Sequence, residues 1–272
     1  MKVRFWGVRG TIPCASTSHL RYGGNTSCVT VACGDRLIIL DAGSGIRPLG
    51  GWVQAQGFAS ADLFLSHVHW DHIQGLPFFK PLYADDFSLT VWAGNLQPQG
   101  LSVADVLARQ MSTPFFPIAP NHFSAEMMLK DFAAGESLDL GQGITIRTAP
   151  LNHPQGATGY RVEHDGCAVC YVTDTEHRPG KLDTTIVELI RGADLVIYDS
   201  TYTDQEFFRF AGWGHSTWQQ GVRLCKAAEA AQLAIFHHDP DHDDNFMDRI
   251  AEEAQEMWAG AFVAQEGQQL IL

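Results

Sequence analysis

Apolar residues in this chain gather into short runs, most of them four to six residues long and closed by Gly, Asp, Asn or His, separated by a few stretches with helical spacing. Residues 2–6 read as a first strand, and 28–33 with 36–40 as a hairpin turned around Gly34-Asp35. Further strands are predicted at 62–65, 89–92, 136–140, 144–149, 160–163, 168–173, 195–198, 233–236 and 268–271, the pair 160–163 and 168–173 being joined by the turn His164-Asp165-Gly166. Helices are predicted over Ile46–Gln56 despite Pro48 and two glycines, over 72–79, 102–110 and 181–191, from Ser216 to about 231, and over 245–258. Ser216 is expected to cap its helix, because a hydroxyl there accepts from the free amides of the first turn. Strands in two groups with helices between them imply two sheets packed face to face, helices outside. The region 99–132 is less regular, and its apolar run Pro114-Phe115-Phe116-Pro117-Ile118 is read as core packing ahead of a wall over a cleft or a subunit contact.

At 272 residues and 45% hydrophobic, the chain can bury a large core as one domain or two tightly joined halves. No 18-residue apolar run is present, and the opening Met1-Lys2-Val3-Arg4-Phe5-Trp6 reads as a strand and not as a signal peptide, so the cytosol is the expected location and no membrane partner is expected. The six cysteines (14, 28, 33, 167, 170, 225) are scattered and do not make a disulfide framework. Cys167-Ala168-Val169-Cys170 lies within a strand and lacks a partner pair, so free core thiols are expected in place of a second metal site.

Eighteen basic residues against 31 acidic ones give a net charge of -13, and no Lys/Arg cluster occurs anywhere. A protein that tracks a long polynucleotide carries a basic stripe, so a small anionic substrate is expected instead.

Metal chemistry enters with His67-Val68-His69-Trp70-Asp71-His72, which follows an apolar run directly. Three imidazoles and a carboxylate in six residues suit zinc and its neighbours, and a strand end holds them rigidly. One such cluster cannot complete two metal shells. Later segments offer the rest: His153, Asp174 and His237 each stand just past an apolar strand, where a loop can turn them into a shared cleft.

On these residues, in this order, the chain resembles the metallo-β-lactamase superfamily over nearly its whole length. The resemblance implies a single domain over 1–272 with an αββα sandwich fold and a dinuclear site at one edge of the paired sheets. One metal would be held by His67, His69 and His153, the other by Asp71, His72 and His237, with Asp174 bridging. Zinc is the first expectation for the two divalent ions, and manganese and iron suit the same donors. The superfamily spans lactamases, thioesterases, lactonases, nucleases and redox enzymes, so the fold alone does not choose a reaction.

A second constellation narrows it. Tyr198-Asp199-Ser200-Thr201 follows a strand, and Trp213-Gly214-His215-Ser216-Thr217 opens a helix whose free amides and dipole favour an anion. Asp199 can accept from one ring nitrogen of His215 and raise its basicity. The pair resembles the catalytic Asp/Glu-His arrangement of the phosphodiesterase branch, which includes ribonuclease Z and the cyclic phosphodiesterase of carbon-phosphorus lyase pathways. That likeness implies hydrolysis of a small cyclic or linear phosphodiester, a nucleotide among the candidates, by water that the two metals make nucleophilic. Asp71, Asp199 and His215 are the expected catalytic residues, Asp71 as a metal ligand and not as a general base. Two departures count against transfer RNA as substrate: only 21 residues separate His153 from Asp174, leaving no room for an RNA-gripping arm, and Arg21-Tyr22-Gly23-Gly24-Asn25-Thr26 keeps Asn25 without the surrounding basic residues. A thioester or lactone hydrolase and ribonuclease Z-like processing are the alternatives, and a homodimer stays open. Asp41-Ala42-Gly43 and the run 238–242 lie near the expected metal edge as supporting residues or turn formers, the turn role being preferred for Asp241 and Asp243.

Overall fold

The computed structural model describes residues 1–272. Its strands are β1 (Lys2–Gly7), β2 (Cys28–Cys33), β3 (Arg36–Leu40), β4 (Ser60–Leu65), β5 (Ser88–Ala93), β6 (Glu126–Asp131), β7 (Ser137–Gly141), β8 (Ile144–Leu151), β9 (Ala157–His164), β10 (Cys167–Val172), β11 (Leu195–Asp199), β12 (Leu233–Phe236), β13 (Ala261–Val263) and β14 (Gln269–Ile271). They form two seven-stranded sheets, ordered β14-β1-β2-β3-β4-β5-β6 and β13-β12-β11-β10-β9-β8-β7. Each sheet is mixed: β3 to β6 run parallel in the first and β10 to β13 in the second, while the remaining neighbours are antiparallel.

The period-two geometry of a strand explains why the central runs are apolar at every position. In β3, Ile38 and Leu40 face the space between the sheets, whereas Leu37 and Ile39 face the helices outside. The same split places Phe64 of β4 inside against Leu63 and Leu65 outside, and Leu195 and Ile197 of β11 inside against Val196 and Tyr198 outside. Helices α1 (Ile46–Gln56) and α3 (Val103–Gln110) cover the first sheet; α4 (Thr184–Ile190), α5 (Trp218–Ala227) and α6 (Asp244–Met257) cover the second. The result is the expected four-layer αββα sandwich.

Several expectations need correction. The helical stretch foreseen at 72–79 is a one-turn helix, α2 (Trp70–Ile73), followed by a short 3-10 turn at Leu76–Phe78. Ser216 does not cap α5: Thr217 does, its hydroxyl accepting from the Gln220 amide, while the Ser216 hydroxyl is engaged by Tyr198 and His177. That helix also ends at Ala227 and not near 231, and α4 is shorter than 181–191. Phe115 is not core, since it is 81% exposed. Cys170 is a buried free thiol, as expected, whereas Cys167 is half-buried. Strands β6 and β13 had no counterpart in the sequence reading. No helix is long and apolar enough to cross a membrane.

Strand direction places the site. Strands β10, β11 and β12 are parallel, and β8 shares their direction because two antiparallel steps separate it from β10. The C-terminal ends of all four therefore emerge at one edge, where an open α/β arrangement leaves a crevice for ligands. The parallel pair β3 and β4 delivers its ends to the facing edge of the other sheet, as the hydrogen bond from the Thr158 amide to the Ser66 carbonyl shows.

Candidate metal centre

Extended backbone after β4 turns His67 and His69 to the same side, two residues apart, and then α2 begins with His69 at its N-cap. That single turn swings Asp71 and His72 around to meet the pair. Across the crevice, His153 follows β8, Asp174 follows β10 and His237 follows β12. Asp41, Asp174 and His237 take left-handed backbone conformations, with φ of 61°, 56° and 62°. These sharp reversals at strand ends aim the side chains along the sheet edge instead of onto a face.

All seven residues foreseen as metal ligands come together. Asp174 stands between two groups: its Oδ2 lies 3.5 Å from His67 Nε2 and 3.6 Å from His153 Nε2, and its Oδ1 lies 3.2 Å from both His72 Nε2 and His237 Nε2. His69 Nδ1 is 3.1 Å from His153 Nε2, and Asp71 Oδ2 is 3.3 Å from both His72 Nε2 and His237 Nε2. Nitrogen and oxygen ligands about 2.1 Å from a tetrahedral ion sit about 3.4 Å from one another, so these spacings are those of atoms arranged around cations.

Each imidazole is fixed by a hydrogen bond from the nitrogen that faces away from the centre. His72 Nδ1 donates to Asp41 Oδ2 at 2.7 Å, and His153 Nδ1 donates to the Gly214 carbonyl at 2.8 Å. His237 Nδ1 donates to Thr201 Oγ1 at 3.0 Å, and that hydroxyl donates in turn to Asp199. His67 Nδ1 reaches Ser66 Oγ at 3.1 Å, while His69 uses its other nitrogen, Nε2, toward Gln155 Oε1 at 3.1 Å. Such contacts choose the tautomer and leave a lone pair pointing inward on every ring. His67 Nε2 is fully buried with no hydrogen-bond partner at all, an arrangement a protein seldom leaves uncompensated.

The electrostatics agree. Burial alone would raise the Asp174 carboxyl, but the imidazoles of His237, His72 and His67 hold it well below the ordinary range. Burial would likewise lower His72, yet the charges on Asp174, Asp71 and Asp41 raise it well above its usual value. His67 is pushed down, first by burial and then by the neighbouring His72. The pocket therefore calls for positive charge, and the converging donors fit divalent metal ions.

His215 and Asp199 meet as foreseen, with Nδ1 of His215 donating to Asp199 Oδ2 at 3.1 Å. Burial lowers the His215 imidazole, but Asp199 through charge and hydrogen bond outweighs it and lifts the group to about 9. The ring stacks on His237 with centroids 4.9 Å apart and stands 3.9 Å from Asp174 Oδ2. Of the two segments left open in sequence, Asp41 supports His72 directly, and His238 is buried with Nε2 donating to the Ala264 carbonyl. Asp243, expected to form a turn, instead caps α6, its carboxylate accepting from the Phe246 amide.

Some supporting residues gave no sequence signal. The Thr11 amide donates to Asp71 Oδ2 at 2.7 Å, and a Cβ on the adjacent Gly10 would lie 2.3 Å from the His237 ring. Glu176 Oε2 accepts from the Gly212 and Gly214 amides at 2.7 and 2.9 Å, while its backbone is tied to Asn152. One residue thus joins the loops carrying His153, Asp174 and His215, its carboxylate holding the 212–214 loop and its backbone holding Asn152.

Comparison with known proteins agrees with this architecture. The family model described as a beta-lactamase superfamily domain matches residues 36–238. Ribonuclease Z of Haloferax volcanii is 26% identical across 99% of this chain and 94% of its own length. Among solved structures, the metallo-beta-lactamase fold protein YhfI from Bacillus subtilis superposes with a TM-score of 0.74 at 19% identity, covering 99% of this chain and 98% of that one. A diphosphatase from the PhnP family gives a TM-score of 0.70 at 18% identity, over 100% and 97% of the two chains. The chain belongs to the metallo-β-lactamase superfamily, as a metal-dependent hydrolase of its ribonuclease Z-like branch.

Proposed function

We propose that this protein is a dinuclear phosphodiesterase acting on a small cyclic or linear phosphodiester. The observation that carries the reading is Asp174, whose two oxygens each face a separate pair of imidazoles. One ion would be held by His67, His69 and His153 and the other by Asp71, His72 and His237, with Asp174 shared; zinc suits these donors, as do manganese and iron. A bound pair of such ions supplies Lewis acidity, which brings the pKa of water toward neutrality and offsets charge on a phosphoryl group.

The chain's own residues do the rest. Asp41 and Thr201 hold His72 and His237 in single tautomers, so the cavity stays open to ligands of fixed geometry. Asp199 fixes the ring of His215, whose Nε2 makes no hydrogen bond within the chain. A proton held there can pass to the departing ester oxygen. The likeness to ribonuclease Z supports a second reading, RNA processing, but residues 157–172 between His153 and Asp174 form only the β9–β10 hairpin, with no excursion to grip an RNA. The acidic balance of the chain also favours the small substrate.

Elemental analysis of the purified protein combined with a substrate panel tests the proposal. The panel holds bis(p-nitrophenyl) phosphate, 2′,3′- and 3′,5′-cyclic nucleotides, a precursor transfer RNA, a thioester and a lactone. Turnover of the phosphodiesters with two divalent ions per chain is expected. Preferred turnover of the thioester or lactone, undiminished in His215→Ala, would overturn it.

A further inference from the structure

Beside the loop that carries His67 to His72, a groove of about 800 Å³ runs between α2, the turn at 76–78, α3 and the segment 115–117. It begins on the metal loop itself, because Val68 and Trp70, which alternate with His67, His69 and Asp71, form one end of its lining. Its far wall is tied to the same centre: Gln155, which accepts from His69, accepts through its carbonyl from Gln99, two residues before the groove residue Leu101.

The lining is unusual for an exposed surface. Trp70 is 80% exposed, Phe115 81% and Phe78 53%, and all three belong to this one groove. Phe78 and Phe116 meet edge to face at 5.9 Å and form a ridge, beyond which a second hollow carries Arg47 and Lys80. Arg109 lines the first groove, and neither hollow contains an aspartate or glutamate. In a chain with 31 acidic against 18 basic residues, this face is locally cationic and aromatic.

We propose that the groove is a subsite for a planar aromatic group carried by the substrate, held on Trp70 while the attached anionic phosphoryl group reaches the metal centre. The proposal rests on the phosphodiesterase reading for the identity of that anion. An open indole face gains most from an offset-stacked ring, whereas an alkyl chain would use its area but not its π face. Arg109 and the absence of any carboxylate in the lining favour a ring that belongs to an anionic molecule over one that carries positive charge. A second copy of this chain fits worse, since a twofold contact would set one cationic face against another.

Phenylphosphonate and methylphosphonate, which present the same anion with and without a ring and are not hydrolysed, separate the groove from the reaction. Calorimetric titration of the metal-loaded protein should give a dissociation constant roughly 10-fold lower for the phenyl compound. Trp70→Ala should remove most of that ratio, Trp70→Phe should keep much of it, and Phe115→Ala should lower it in part. Equal affinities in the parent protein, or a ratio unchanged in both alanine variants, overturn the subsite. So does loss of affinity for both compounds alongside a dimer-to-monomer shift in light scattering, which assigns the face to a second copy. A protein that hydrolyses no phosphodiester yet retains the ratio keeps the subsite and retires the reaction, and the converse result does the opposite.

Discussion

Asp71, His72 and His237 are all buried, whereas His69 and His153 on the other side of Asp174 are partly open to solvent. Support differs in the same sense. The buried group is anchored directly by the Asp41 carboxylate, by Thr201 backed by Asp199, and by the Thr11 amide; the open group leans on a carbonyl, a glutamine and the Ser66 hydroxyl, which is itself backed by Asp41. A carboxylate behind an imidazole strengthens it as a ligand more than a neutral acceptor does. On the proposed function, the more enclosed half would hold its ion and the more open half would admit substrate.

Removing the residue that both halves share tests whether they form one unit. Asp174→Ala should release both ions and lower diester turnover at least about 10³-fold, read by elemental analysis and a p-nitrophenolate assay. Retention of one ion would show two independent sites. His215→Ala should lower kcat by about 10²- to 10⁴-fold with metal content intact, separating proton delivery from ion binding. Asp41→Asn keeps the shape of its parent while removing charge, and should weaken the buried-half ion by about 10- to 100-fold in chelator titration. An equal loss from both halves would break the comparison.

Smaller effects sharpen it. Glu176→Ala frees the 212–214 loop behind His153 and His215, so an order of about 10-fold in kcat should be lost, with Glu176→Gln recovering much of it because an amide oxygen still accepts from both glycines. Phe115→Ser, far from the core, should change the unfolding free energy by less than about 0.5 kcal/mol in denaturant titration.

The fold was legible where both faces of a strand are buried, since runs such as Leu37-Ile38-Ile39-Leu40 have no other reasonable reading. It was illegible in β6, an edge strand of sequence Glu126-Met127-Met128-Leu129-Lys130-Asp131 whose side chains are mostly exposed and carry no apolar rhythm. The donors at strand ends stood out because ligand-type side chains there lack a packing role. Glu176 did not, because its partners are backbone amides some 36 residues away, and nothing in residue type announces them. Ser216 and Thr217 are equally good caps by chemistry; the choice is made by Tyr198 and His177, which claim the serine from outside the helix.

The left-handed corners at Asp41, Asp174 and His237 bear on how this molecule tolerates change. Aspartate tolerates this conformation better than most residues, whereas at His237 a side chain with a β-carbon is disfavoured by about 1–2 kcal/mol, so glycine would ease that corner where alanine would not. At His237, a glycine variant should therefore outlast an alanine variant on heating, even though both lack the imidazole. Selection for thermal robustness alone would drift toward sturdier proteins with a blunted rim, and only selection on turnover would keep the tension in place.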